Sequence, residues 1–436
     1  MCVNSLVRGC VLVLLFLSAP AWAVPEIQHW TTPRGGRVYF VPTGGLPLVD
    51  VRVVFDAGSA RDGAKFGLAS LTAALLDTGA GDWNADMIAQ RLENVGAALT
   101  TGASRDSAFL SLRSLSHADK LQTALDTARE ILAHPRFDAA DFERDKKRTL
   151  LGIKQRGEDP GDLAEIAFFK TVYGKHPYAH PSEGETATVE ALTREDLAAF
   201  HKAWYTLKNA IVVLVGDVDR AKAGTIAEQL LSGLPEGEIP PPLPIPYARE
   251  ASTVKIPFPS EQTHVYAGQL GLKVIDPEYF PLYVGNHILG GSGLVSRISE
   301  EVREKRGLSY SAFSYFMPMR EFGPFQVGLQ TRNDQAQQAL QVALDTLKKF
   351  VAEGPSEKEL EEAKKNIVGG FVLRLDSNQK LTEQVANIAF FQRPLDYLAS
   401  FTGKVQAVTR EDIRHAFRSR IDPGQLQIVL VGGGAK

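Results

Sequence analysis

Cysteine is nearly absent: the 436 residues hold two, Cys2 and Cys10. Both precede residue 24, so a chain trimmed there keeps no thiol. That excludes a disulfide scaffold, a Cys-ligated zinc site and a thiol nucleophile. It also suits an oxidising compartment, where a stray thiol is a liability. A surplus of one charge is lacking as well. There are 48 Lys+Arg against 51 Asp+Glu, a formal net charge of −3. Phosphate-backbone binding draws on a basic surface, so nucleic acid is not expected as a main partner. Long apolar runs are missing too. The run at 10–17 (CVLVLLFL) is too short to span a bilayer, and no other stretch is long enough.

That run has a different reading. Arg8 gives a short positive start, Ser18-Ala19-Pro20 breaks the run, and Ala21-Trp22-Ala23 is an A-x-A cleavage pattern. Residues 1–23 therefore read as a secretory signal peptide. Export of a large chain without cysteine points to a bacterial periplasm. What remains is ordinary globular material, with 44% hydrophobic and 23% charged residues.

The chain repeats itself. Leu192-Thr-Arg-Glu-Asp-Leu197 recurs as Val408-Thr-Arg-Glu-Asp-Ile413, 216 residues later. The apolar run before Gly216 recurs before Gly432 at the same offset, and Lys146-Lys147 recurs as Lys364-Lys365. Near-constant offsets over separated segments mark two copies of one domain. A proline-rich stretch, 240–247 (PPPLPIPY), stands between them and should run extended. The expected organisation is a signal peptide at 1–23, one domain at 24–234, a linker at 235–251 and a second domain at 252–436. Strands are expected at 48–55, 108–115, 210–215, 263–270 and 325–329. Helices are expected at 66–76, 87–95, 138–156 with Asp138 as N-cap, 194–202 capped by Thr193, 294–305, 335–350 and 357–368. Segregated rather than alternating elements suggest an α+β fold made of two mixed sandwich domains.

Two segments carry a specific likeness. Residues 51–79 read VRVVFDAGSARDGAKFGLASLTAALLDTG. Residues 286–310 read NHILGGSGLVSRISEEVREKRGLSY. Together they resemble the pitrilysin/insulinase family, the inverzincin metallopeptidases that include mitochondrial processing peptidase. The likeness runs over roughly residues 28–433. In that family a G-L-A-H-x-x-E-H helix follows the first strand and turn. Its two His residues share one helix face and bind zinc, and its Glu activates the zinc-bound water. Here the His positions hold Ser70 and Ala74, and the Glu position holds Ala73. The family's third ligand position falls on Gly152. None of these four residues can do the job, so the resemblance implies no zinc in this chain.

Displaced chemistry finds little support. His176 and His180 are the only close His pair, and Pro177 and Pro181 favour a loop there over a helix. Ser70 has no His or Lys nearby in sequence to activate it.

The second segment keeps what the first lost. Gly290, Gly291 and Gly293 form a turn in which the backbone can approach closely or adopt positive φ. A phosphate loop would need a Gly-Lys-Ser/Thr that is missing. Arg303 and Tyr310 stand seven apart, the spacing of the family's substrate-side Arg/Tyr pair. A guanidinium and a phenol can both donate to a developing oxyanion. By spacing alone they could equally be a surface charge and a strand-start aromatic.

The resemblance implies half of a clamp. The expected function is the non-catalytic, substrate-positioning subunit of a heterodimeric periplasmic zinc endopeptidase. A homologous H-x-x-E-H subunit would carry the zinc, a peptide would be the substrate, and this chain would hold no cofactor. A stand-alone peptide-binding or scaffolding module is the alternative. An independent enzyme with a rebuilt site is a third reading.

Overall fold

The computed structural model describes residues 26–434; the expected signal peptide lies outside them. The described residues form two large sheets with the same connectivity, beside a two-stranded ribbon of Gly79–Ala80 and Trp83–Asn84. In the first half the order is Gln28–Thr31, Arg37–Pro42, Ile211–Gly216, Leu48–Phe55, Ala108–Leu115, Ala98–Ala103. In the second it is Ser252–Ile256, Gln427–Val431, Gln262–Leu270, Pro324–Arg332, Ser311–Phe316. Remove the extra outer strand Gln28–Thr31 and the two orders match strand for strand. Each half also has one parallel pair, Arg37–Pro42 with Ile211–Gly216 and Ser252–Ile256 with Gln427–Val431.

The sequence repeats land on equivalent devices. Thr193 and Thr409 both cap helices, accepting from the N–H groups of Asp196 and Asp412, whose carboxylates bond back to the cap N–H groups. Such reciprocal bonds satisfy two otherwise orphan donors at a helix start. Gly216 and Gly432 end the matching strands at φ 153° and 147°. A Cβ there would sit 2.3 Å from the Leu48 carbonyl oxygen and 2.6 Å from that of Gln262. No side chain fits either position.

The faces of the two sheets are closed differently. One face of the first sheet packs on helices of its own half, through Phe40, Val51, Phe55, Leu71, Leu125 and Ile226. Its other face, with Val54, Ile211, Val213 and Val215, packs against Leu381, Val385 and Ile388 of helix Asn378–Phe390 from the second half. The exchange is reciprocal. Helix Pro160–Tyr173 of the first half lies across the second sheet, setting Ala164, Phe168 and Val172 against Tyr266, Val429 and Val431. Phe168 stacks on Tyr266 with ring centroids 5.7 Å apart. Asp159 accepts from the N–H groups of Gly161 and Asp162, and Pro160 takes the first helical position, where its missing N–H costs nothing.

A polar seam joins the halves beside this exchange. Asp56 takes a bidentate pair from Arg61, at 2.8 and 2.7 Å, and a contact from Arg320. Asp106 accepts from the Arg320 N–H at 2.9 Å and from the Tyr178 hydroxyl. Arg61 also donates to the Pro241 carbonyl in the proline-rich stretch at 2.8 Å. That stretch carries no helix or strand over 235–251.

Two expectations need correction. Asp138 precedes helix Ala139–Gly157 but its side chain makes no capping bond, because Arg136 holds the carboxylate. The expected helix at 294–305 is broken into a 3₁₀ turn Gly293–Val295, one α-turn Arg297–Ser299 and a π-turn Glu300–Glu304. The Lys305 N–H reaches the Glu300 carbonyl at 2.9 Å, a five-residue step that shifts the side chains following it around the axis. Among the described residues no helix is long and apolar enough to cross a membrane.

The helix exchange sets a stability prediction. Phe168 is fully buried between the halves. Phe168→Ala should cost about 3–5 kcal/mol, the range for an unfilled core cavity. Denaturant unfolding should then remain one transition at a lower midpoint, because each half needs the other's helix to cover its sheet. A single transition at the wild-type midpoint would contradict this.

Candidate functional site

The region where a metal would be expected is built as ordinary structure. Ser70, Ala73 and Ala74 lie on the short helix Leu68–Ala74, against helix Ala139–Gly157, which carries Gly152. Asp62 fixes the start of that short helix, accepting from the Gly67 and Ala69 N–H groups, each at 2.8 Å. Its carboxylate is buried, and burial pushes its pKa up to about 7. Ser70 is already committed, since its hydroxyl donates to the Ser182 carbonyl at 2.7 Å. Ala73 is fully buried and Ala74 is exposed. A Cβ on Gly152 would meet nothing within 4 Å.

The His176–His180 segment is equally settled. It forms a 3₁₀ turn at Pro177–Ala179. His176 uses both ring nitrogens on backbone, Nε2 with the Pro244 carbonyl at 2.7 Å and Nδ1 accepting from the Tyr178 N–H at 3.1 Å. His180 bonds the Pro181 carbonyl at 2.9 Å and stacks on Phe66 at 4.1 Å. Burial holds both imidazoles below their ordinary pKa, so they stay neutral at pH 7. Among the described residues no group of three or more His, Cys, Asp or Glu converges as a metal site would require.

The second half presents the glycine turn and the Arg/Tyr pair. Helix Tyr279–Asn286 runs into a π-turn, His287–Gly291, closed by the Ser292 N–H to the His287 carbonyl at 3.0 Å. Asn286 bolts this turn to the edge strand Ser311–Phe316. Its Nδ2 donates to the Ser314 carbonyl at 3.0 Å, and its Oδ1 accepts from the Ser314 hydroxyl at 2.8 Å. Gly290 is required by that close approach, because a Cβ there would lie 2.2 Å from the Ser314 nitrogen. Gly291 and Gly293 are exposed beside it. Arg297 then ties the next turn to helix Glu357–Phe371 by a fork to Glu359, at 2.5 and 2.6 Å. Burial pushes the Glu359 carboxyl up, but Arg297 and Ser356 outweigh it and hold the pKa down at about 2.

Arg303 and Tyr310 meet in space. The guanidinium carbon lies 4.7 Å from the centre of the Tyr310 ring, a cation–π arrangement. Tyr310 is 83% exposed. Among the described residues Arg303 reaches a carboxylate only in Glu304, at 3.5 Å. Arg306, three residues on, is instead tied to Glu301 by its side chain. The phenol is open to solvent with the guanidinium over its ring.

The first half, residues 45–185, matches the model of the insulinase family (peptidase family M16), and residues 191–367 match the peptidase M16 inactive domain. An uncharacterized zinc protease of Mycobacterium tuberculosis is 30% identical over 81% of this chain and 82% of its own length. The chain belongs to the M16 family. A non-peptidase homolog from Helicobacter pylori is 24% identical over 97% of both chains. The crystal structure of a peptidase M16 inactive domain from Pseudomonas fluorescens superposes with a TM-score of 0.91 at 38% identity, covering 94% of this chain and 99% of that one. A subunit of complex III2 from Candida albicans shares the fold, with a TM-score of 0.78 at 16% identity over 93% and 95% of the two chains. Relatives named as zinc proteases and as a non-peptidase homolog are thus both similar to this chain over most of its length.

The isolated chain is expected to bind no stoichiometric zinc. Metal analysis after zinc exposure and desalting should give far less than one ion per chain, and one tightly held zinc would contradict the reading. Ser70→Ala should cost about 1 kcal/mol, the usual worth of one hydrogen bond, with no change in metal content.

Proposed function

We propose that this chain is the non-catalytic, substrate-positioning subunit of a two-chain zinc endopeptidase in the periplasm. One observation carries the reading. The positions that would bind and use zinc hold Ser70, Ala73, Ala74 and Gly152, while Arg303 lies over the exposed Tyr310 ring and Asn286 fixes the glycine turn to the edge strand. A chain that kept only packing would have little use for an exposed tyrosine over a guanidinium beside a π-turn. On this reading a homologous M16 subunit with an intact H-x-x-E-H helix supplies the zinc and the general base. The two chains close into a chamber, and Arg303 and Tyr310 donate to the scissile carbonyl as negative charge builds on its oxygen. The export signal read at 1–23 supports a periplasmic location.

A second reading draws on the Helicobacter pylori relative, named a non-peptidase homolog. The chain would then bind peptides or scaffold other proteins with no peptidase partner.

Reconstitution separates them. Co-expression with an H-x-x-E-H homologue from the same host should yield a heterodimer that cleaves peptides. Tyr310→Phe and Arg303→Ala should each lower kcat and kcat/KM together by on the order of 10²–10³, with assembly unchanged. Arg306→Ala, already engaged by Glu301, should be much milder. Wild-type turnover in both key variants, or no association with any such homologue, would overturn the subunit reading.

A further inference from the structure

The π-turn borders a cavity that touches the glycine turn at Gly291 but includes neither Arg303 nor Tyr310. Its volume is about 410 Å³, and Tyr279, Tyr283, Tyr315, Phe316, His287 and Arg374 line it. Three elements build the wall: helix Tyr279–Asn286 and the edge strand Ser311–Phe316 supply the aromatic rings, and the 3₁₀ turn Val372–Arg374 supplies the guanidinium. Its polarity is one-sided. Among the described residues no Asp or Glu lines it.

Two of its polar groups have capacity to spare. A guanidinium has five N–H donors. Arg374 spends one on the Tyr283 hydroxyl, at 2.7 Å, and makes no ion pair among the described residues. His287 is half-buried, and its ring has no hydrogen-bond partner among the described residues. Burial, and then the Arg374 charge, hold its pKa below the ordinary value, so it offers a neutral N–H. Tyr283 is oriented by Arg374, which keeps the guanidinium at the cavity rather than swinging free. Pockets that bind small groups are mostly apolar with a few convergent polar atoms, and a fork of N–H donors matches a carboxylate in two contacts.

We propose that this cavity binds a carboxylate carried on an apolar body, with the aromatic wall taking the body and Arg374 and His287 taking the anion. A peptide with an apolar C-terminal residue has this chemistry, and so does a free aromatic acid. The inference rests on the lining of this cavity and needs no partner subunit, so its failure would leave the subunit reading standing.

The test is calorimetry on the full processed chain without a partner. The probes are N-acetyl-Ala-Ala-Phe with a free C-terminus, the same peptide amidated, and 3-phenylpropionate. The free-acid peptide should bind, and the amide should bind at least about tenfold more weakly, because the charge-assisted contacts are lost. Arg374→Gln should weaken the acid at least tenfold. Arg332→Gln, an exposed arginine paired with Asp334 elsewhere, should leave binding unchanged. Arg374 is exposed, so its loss should leave thermal unfolding unaltered. Binding of 3-phenylpropionate as tight as the peptide assigns the site to free acids, and tighter peptide binding assigns it to peptide ends; both support an anion site. Equal affinity for acid and amide, no effect of Arg374→Gln, or no binding at millimolar probe would overturn it.

Discussion

Everything in this molecule depends on the exchange of one helix between its halves. Each sheet has a face that its own half leaves open, and the apolar residues there need cover. Helix Asn378–Phe390 covers the first sheet and helix Pro160–Tyr173 covers the second. Neither half is complete without the other, so the two copies fold as one body. The polar seam at Asp56, Asp106, Tyr178 and Arg320 then fixes their relative orientation. A site on one half is thereby placed rigidly with respect to the other.

Against that scaffold, loss of a metal centre is inexpensive. The helix Leu68–Ala74 is held by the Asp62 bonds, by apolar packing of Leu68 and Leu71 and by the Ser70 bond to Ser182. None of these needs a metal ligand. The second half shows the opposite economy. A π-turn and a close approach at Gly290 are unfavourable choices that simple packing does not call for, and π-turns are often found at functional sites. The asymmetry between the halves is therefore chemical, while their topology is the same.

Much of this was legible in the sequence, for identifiable reasons. The repeats fell on capping boxes and strand-ending glycines because those devices tolerate few residues: Thr193 with Asp196, Thr409 with Asp412, Gly216 and Gly432. The strand Leu48–Phe55 and its neighbour Ala108–Leu115 were readable from their own patterns. The exchanged helices were not expected. Residues 160–173 are apolar on most sides, so they carry little amphipathic signal, and what they pack on lies about 100 residues away or more. Asp159-Pro160 was the available start signal. The break-up of residues 294–305 was hidden because a π-turn has no composition of its own. The Arg303–Tyr310 contact follows from that break, since it sets where Arg303 emerges. The cavity at Arg374 draws on three segments far apart in sequence, and no local pattern announces it.

The central claim is that this chain contributes position and a partner contributes metal. Native mass spectrometry of the complex captured on this chain from its own host tests that most directly. The account predicts one copy of this chain, one copy of an H-x-x-E-H homologue and a single zinc that leaves with the homologue on dissociation. A zinc retained by this chain, or a complex holding only copies of this chain, would contradict it.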